Sequence, residues 1–365
     1  MKRIKLTNGV RCILISLALL LTSCSLQTLQ PTPLPTPLPD PNNIFTDEEE
    51  ATLNSLEQVD DHPLYTMHYI GSYPSRAHSY KPTTLIKSTL ASAQTSCNVT
   101  WACSLFAVLG DEDNRLFGRN FDWHFSPALL LFTDPPDGYA SVSMVDIEYL
   151  GFEGDRSRNL TNLPLAELRG LLDATSLPFD GMNEKGLAVG MAAVPAEDMP
   201  YDSQKQTIGE LDVIREILDH AGTVDEAIEV LGRYNIDMGD VPIHYLVASA
   251  SGDSAVVEFY KGRMVVFRNE APWQIATNFL LASTNGNEQG QCWRYDLLDQ
   301  RLGEQDGKVS YKDALHLLDD VSQDITQWSI VYHMTSGKVH IVMGQACSGT
   351  IHTFQLNHIT EESSN

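Results

Sequence analysis

"CSLFAVLGDEDNRLFGRNFDW", residues 103–123, is the stretch on which the reading of this chain turns. Two apolar runs flank the turn cluster Asp111-Glu112-Asp113-Asn114, the pattern of two antiparallel strands joined by a short loop. A tight loop over those four residues sets Cys103 across from Asp122, where opposed β-carbons lie about 4.5–5.5 Å apart. A carboxylate there would reach the cysteine's thiol or backbone nitrogen. Arg119 has the opposite parity to Asp122 because side chains alternate faces along a strand. A bulge or a bend between them is then needed to bring both to Cys103. The plain alternative is a small core cysteine, since free cysteine is among the most buried residue types, with Arg119 paired to Asp122 or to a loop acid.

Working outward, the 365 residues are 42% apolar, enough to bury a sizeable core. The first residues carry Lys2, Arg3 and Lys5, then an apolar run, then Leu21-Thr22-Ser23-Cys24. That order resembles a bacterial lipoprotein signal over 1–23, cut before a lipidated Cys24; the apolar run is too short for the roughly 20 residues of a membrane span. Residues 24–43 are proline-rich and favour an extended tether. The expected location is therefore extracytoplasmic, in the cell envelope, with a lipid anchor in a membrane. A formal net charge of −24 argues against nucleic acid and against docking on anionic lipid. With Cys103 set aside, Cys97, Cys292 and Cys347 offer one disulfide and one leftover thiol, which an exported location permits.

Farther along, a helix is expected over 46–60, opened by a capping box of Thr46 and Glu49. "YASVSMVDIEYL" reads as a strand, "PLAELRGLLDA" as a helix, and "GMNEKGLAVGM" as a hairpin tip and a strand. Amphipathic helices are expected over 209–220 and 224–231, with capping boxes Thr207/Glu210 and Thr223/Glu226 and exits at Gly222 and Gly232. Strands follow at "HYLVAS", "SAVVEFY", "RMVVFRN" and "WQIATN", then a helix from about Ser310 and a closing hairpin in "WSIVYHMTSGKVHIVMG". Grouped strands with helices clustered between them imply an α+β layered domain and not a parallel βαβ fold.

The order of "CSLF", "GRNFDW", "DGMNEKGL", "ATNF" and "WRY" resembles the N-terminal nucleophile cysteine hydrolases of the linear amide C–N hydrolase superfamily. That superfamily includes choloylglycine hydrolases, penicillin V acylase, acyl-CoA:6-aminopenicillanate acyltransferases and acid ceramidase. The resemblance implies a four-layer αββα sandwich with antiparallel sheets over 103–365, preceded by a propeptide or small subunit over 44–102. It also implies cleavage at Ala102-Cys103, which makes Cys103 a new N-terminus whose freed α-amino group, of reference pKa about 7.7–8.0, takes the thiol proton. By the same resemblance Asp122 holds that amine, Arg119 favours the thiolate, Asn278 helps form the oxyanion hole, and Arg294 matches the family's later arginine. "DGMNEKGL" reads as turn chemistry. Ala193 stands where the bile salt enzymes have an asparagine, and the short Asn278–Arg294 separation is closer to the ceramidase and acyltransferase branches.

The implied function is hydrolysis of a small-molecule N-acyl amide, with no cofactor. No zinc-ligand spacing, phosphate-cradling glycine loop or G-x-S-x-G occurs. An acyltransferase would use the same residues and thioester, and a non-catalytic binding lipoprotein would keep the fold without the cleavage.

Overall fold

The structure is a computed structural model, and it describes residues 45–73, 102–239, 241–345 and 349–356. The expected signal, Cys24 and tether lie outside the described residues, as do Trp101, Cys97 and Cys347. The described part begins with α1 (Asp47–Asn54), β1 (Glu57–Asp60) and β2 (Leu64–Tyr69). Strands β3 (Ala102–Val108) and β4 (Leu116–Asp122) form the hairpin read from the sequence. They are followed by β5 (Ala128–Thr133), β6 (Ser141–Asp146), α2 (Leu165–Leu168), β7 (Asp180–Asn183) and β8 (Leu187–Ala193). Next come β9 (Thr207–Gly209), α3 (Asp212–His220), α4 (Val224–Arg233), β10 (Asn235–Asp237), β11 (Ile243–Ser249), β12 (Ser254–Tyr260) and β13 (Arg263–Arg268). The last elements are β14 (Trp273–Ala276), α5 (Trp293–Glu304), α6 (Tyr311–Asp320), β15 (Thr326–His333), β16 (Lys338–Met343) and β17 (His352–Gln355).

Two sheets carry the fold. One has nine strands in the order β1-β2-β5-β6-β7-β8-β11-β12-β13, and the other has six, β14-β3-β4-β15-β16-β17. Neighbours are antiparallel except β2 and β5, which run parallel. Leu105, Ala107, Phe117 and Phe121 from the six-stranded sheet share one core with Met182, Ala188 and Leu246 from the nine-stranded sheet. Phe106, Val108 and Leu116 alternate to the other face and pack with Leu298 of α5 and Leu318 of α6. On the far side of the nine-stranded sheet, α3 meets β7 and β8 while α4 meets β11 and β12. The layers therefore run helix, sheet, sheet, helix, the expected α+β arrangement.

Several local expectations hold and several move. The Thr46/Glu49 and Thr223/Glu226 capping boxes form, and Ser310 caps α6 with Asp313. The first helix stops at Asn54, and residues 57–60 of its expected span instead pair with β2 as a strand. Thr207 is no cap: it starts β9, which pairs parallel with β10, and α3 opens at Leu211 without a side-chain cap. The expected helix at 164–174 is α-helical only over Leu165–Leu168 and then tightens into a 3-10 segment, Arg169–Ser176. Gly232 lies inside the last turn of α4 and not beyond it.

The register of the opening hairpin also differs. Cys103 stands opposite Phe121, and Asp122 stands opposite Ala102. The strands part after Val108 and Leu116 because the next two amides are drawn elsewhere, Leu109 N–H to the Pro272 carbonyl and Gly110 N–H to that of Gly307, each at 2.9 Å. A β-carbon on Gly110 would lie 2.2 Å from the Asp306 carbonyl oxygen, so only glycine fits that crossing. A slip of one residue exchanges the faces of a strand. Here it puts Arg119, opposite Leu105, on the same face as Cys103. No bulge in β4 is required. The irregularity that does occur lies in the partner strand β15, between Thr326 and Trp328, where Asp122 and Phe121 face it.

Candidate active site

Cys103 is a free thiol, 4% exposed, on the inner face of β3. Arg119 Nη2 lies 3.8 Å from its sulfur and 3.9 Å from Met191 Sδ. Burial raises the Cys103 pKa, with the Arg119 charge opposing and the Asp122 charge adding to the rise. Arg119 is itself wholly buried and forms an ion pair with Asp180, on β7 of the other sheet. Burial works against the guanidinium charge, but Asp180 and the sulfur outweigh it and hold Arg119 above its usual value. Tyr332 O–H donates to the other oxygen of Asp180 at 2.5 Å. The carboxylate is thereby shared between a cation and a phenol, the satisfied form of a buried charge.

Asn278 reaches Cys103 through strand pairing. β14 pairs with β3 as far as Ala276 opposite Leu105, and two further residues in that register bring Asn278 to Cys103. The Cys103 N–H donates to Asn278 Oδ1 at 2.8 Å, and Asn278 Nδ2 donates to the Ala193 carbonyl at 2.8 Å. An amide NH2 carries two hydrogens, so one remains for a second acceptor. Arg294 enters from α5 on the helix side: Nη2 donates to Asn278 Oδ1 at 2.8 Å, and Nη1 to the Cys103 carbonyl and to Ser104 Oγ, the latter at 2.9 Å. Burial lowers its pKa, opposed by Asp122 and Cys103.

Asp122 takes a different position from the one the tight-loop register gives it. It lies on the face of β4 opposite to Arg119, wholly buried, where its carboxylate accepts from Thr326 Oγ1 at 2.6 Å and Gln323 Nε2 at 2.8 Å. Burial raises its pKa, and the bonds from Thr326 and Gln323 and the charge of Arg294 lower it. In the uncut chain the Cys103 nitrogen is therefore held by Asn278 and not by Asp122. All five residues singled out from the sequence, Cys103, Arg119, Asp122, Asn278 and Arg294, gather at one end of β3.

Asp180 was missed. It is the first residue of "DGMNEKGL", which the sequence offers as turn chemistry, and Asn183 behaves that way, accepting from the amides of Lys185 and Leu187. It is the structure that marks Asp180, as an acid in a four-residue strand buried along its whole length. His124 is exposed, 2.7 Å from Glu148. Cys292 is disulfide-bonded. No cluster of three or more His, Cys, Asp or Glu with metal-binding geometry occurs among the described residues.

A cavity of about 60 Å3 opens at the sulfur. Its walls are mainly apolar, with Phe121, Trp123, Tyr149, Phe179, Met191 and Ile243 around Cys103. A thiol in an apolar slot, flanked by a fixed cation and by amide hydrogens, offers the groups that acyl transfer needs.

Known proteins share this arrangement of the chain. Residues 103–279 match the family model described as linear amide C-N hydrolases, choloylglycine hydrolase family. A penicillin V acylase from Pectobacterium atrosepticum is 24% identical over 211 residues, 53% of this chain and 52% of the relative, so the chain spans about half the length of that curated relative. The solved penicillin V acylase from Agrobacterium tumefaciens superposes with a TM-score of 0.50 at 16% identity, covering 72% of this chain and 89% of that one. A conjugated bile acid hydrolase from Clostridium perfringens, crystallised as a mutant, gives 0.47 at 17% identity, over 70% and 97% of the two chains. The fold is that of the acylase from Agrobacterium tumefaciens, and the stretch 103–279 is similar to the linear amide C–N hydrolases of the choloylglycine hydrolase family.

Proposed function

We propose that this protein is an exported cysteine amidase, tethered to a membrane through a lipidated Cys24, that hydrolyses a linear N-acyl amide. The observation that carries the proposal is the position of the Cys103 nitrogen, 2.8 Å from Asn278 Oδ1, in the residue whose sulfur lies 3.8 Å from Arg119. Scission of Ala102-Cys103 would turn that nitrogen into an α-amine already held beside its own thiol. The amine takes the thiol proton, and the sulfur attacks the amide carbonyl. The oxyanion is held by the second Asn278 hydrogen and by backbone amides. The substrate's amine then leaves with the proton returned by the α-ammonium. Water, deprotonated by the same amine, releases the carboxylic acid and restores the thiol. The parallel pairing of β2 with β5 supports the segment before the cut staying with the rest of the protein.

Intact mass and N-terminal sequencing of the purified protein, with a panel of N-acyl amino acids, N-acyl ethanolamines and phenoxyacetyl amides, test this. We expect a catalytic chain beginning at Cys103, and Cys103→Ala to remain uncut and without activity. Active material in which Ala102 is still joined to Cys103 would overturn the proposal.

A further inference from the structure

The charges around the cavity deepen that reading and rest on it. We infer that the amine released by this site is neutral or cationic, and that amides whose amine part bears a carboxylate or sulfonate are selected against. Of the described residues lining the cavity, Glu210 is the acid at the solvent side; Asp122 also borders it, but its carboxylate is turned away to Thr326 and Gln323, and no described lining residue is basic. The two arginines nearest the nucleophile are wholly buried and committed, Arg119 to Asp180 and Arg294 to the Cys103 carbonyl, Ser104 and Asn278. Neither can turn to an anion without leaving a buried group unpartnered, which is costly.

The cavity lining also divides into a buried, mainly apolar part and a part that meets solvent. Phe121, Phe179, Met191, Leu211 and Ile243 are buried and suit an uncharged acyl group. The lining that meets solvent is Trp123, Tyr149, Glu210 and Val241. Glu210 sits in the turn between β9 and α3, whose path is fixed by the Tyr245 O–H donating to the Glu210 carbonyl at 2.9 Å. With the acyl group in the apolar end, the amine part of the substrate lies toward this acidic mouth. A carboxylate or sulfonate there meets like charge and, among the described residues, no guanidinium fork of the kind that recognises such groups. The net charge of −24 adds a longer-range field of the same sign, which concentrates cations and repels anions at the entrance.

The test uses the mature protein and three phenylacetyl amides that differ only in the amine: glycine, glycinamide and ethylenediamine acylated on one nitrogen. We expect kcat/KM for the neutral and cationic amides to exceed that of the anionic one by about ten-fold or more at low ionic strength. The cationic-to-anionic ratio should shrink several-fold between about 20 mM and about 500 mM salt, as the Debye length contracts. Glu210→Gln should narrow the same ratio at fixed salt. If that variant fails to fold, the salt series on the unaltered protein decides alone. Hydrolysis of the glycine amide as fast as the glycinamide, or a ratio indifferent to salt, would overturn the inference while leaving an amidase. Hydrolysis of none of the three would instead overturn the amidase reading itself.

Discussion

The two sheets contribute differently to the surroundings of Cys103. The six-stranded sheet and its helices bring the sulfur on β3, Arg119 and Asp122 on β4, Asn278 just beyond β14, and Arg294 from α5. The nine-stranded sheet brings the carboxylate that Arg119 pairs with, the Ala193 carbonyl that holds Asn278, and much of the apolar wall. One layer therefore holds the groups that would react, and the other supplies a counter-charge and an acceptor that fix them. The charge balance at Cys103 consequently depends on the packing between sheets, and a defect in the nine-stranded sheet should be felt at a sulfur it does not carry.

The largest effect expected from breaking this division is at Asp180. Asp180→Asn leaves Arg119 buried without its counter-charge, which should cost about 3–5 kcal/mol of stability in urea unfolding. The same change leaves the guanidinium charge less balanced beside the sulfur. The Cys103 pKa, raised by burial in the intact protein, should fall, and the midpoint of thiol alkylation against pH should move down. A lost packing contact alone would not move that midpoint. An unchanged unfolding curve together with an unchanged midpoint would show that the sheets are not coupled through this pair.

A carboxyl group internal to the nine-stranded sheet gives the contrast. Asp146 ends β6, is wholly buried, and accepts from the Glu148 amide at 3.0 Å. Burial pushes its pKa from 3.8 up to about 7, against the hydrogen bonds from Ser126 and Glu148. The folded state thus keeps a proton that the unfolded chain has lost between those two values. Its contribution to stability is complete below about pH 4 and is lost as the pH rises through about 7. Asp146→Asn should match the parent near pH 4 and gain up to about 4 kcal/mol over it above pH 7, measured by urea unfolding at several pH values. Activity per folded molecule should respond far less than in the Asp180 variant.

How much of this was legible in the sequence follows the range of the interactions. The hairpin, the capping boxes at Thr46 and Thr223, the helix start at Ser310 and the run of strands from β11 to β14 depend on neighbours within a few residues, and they were read correctly. The register of β3 on β4 was off by one because Leu109 and Gly110 bond to Pro272 and Gly307, far along the chain. That single slip decides whether Arg119 or Asp122 shares the face of Cys103. Asp180 was hidden for the same reason: four residues of β7 cannot announce an ion pair with β4. Spacing singled out Cys103, Arg119 and Asp122, whereas Asn278, Arg294 and the roles of all five came from their resemblance to a family, and spacing alone could not have shown that Asn278 continues β14 to the cysteine nitrogen.

The smallest of the three effects tests the division at its second bridge. Glu258, on β12 of the nine-stranded sheet, is wholly buried and accepts from the amides of Leu281 at 2.8 Å and Ala282 at 2.9 Å, the turn that follows Asn278. His244 Nδ1 lies 3.0 Å from the same carboxylate. Glu258→Gln keeps one acceptor oxygen but sets an NH2 group against one of the two amides. One buried donor is then left without a partner, a cost of about 1–3 kcal/mol. Because that turn carries Asn278 to within hydrogen-bonding distance of the Cys103 nitrogen, the loss should appear in kcat with KM nearly unchanged. Glu258 does not line the cavity, so a change confined to KM would mean that this bridge shapes the substrate pocket and not the nucleophile. Glu258→Ala, which removes both acceptors, should lower kcat further along the same line.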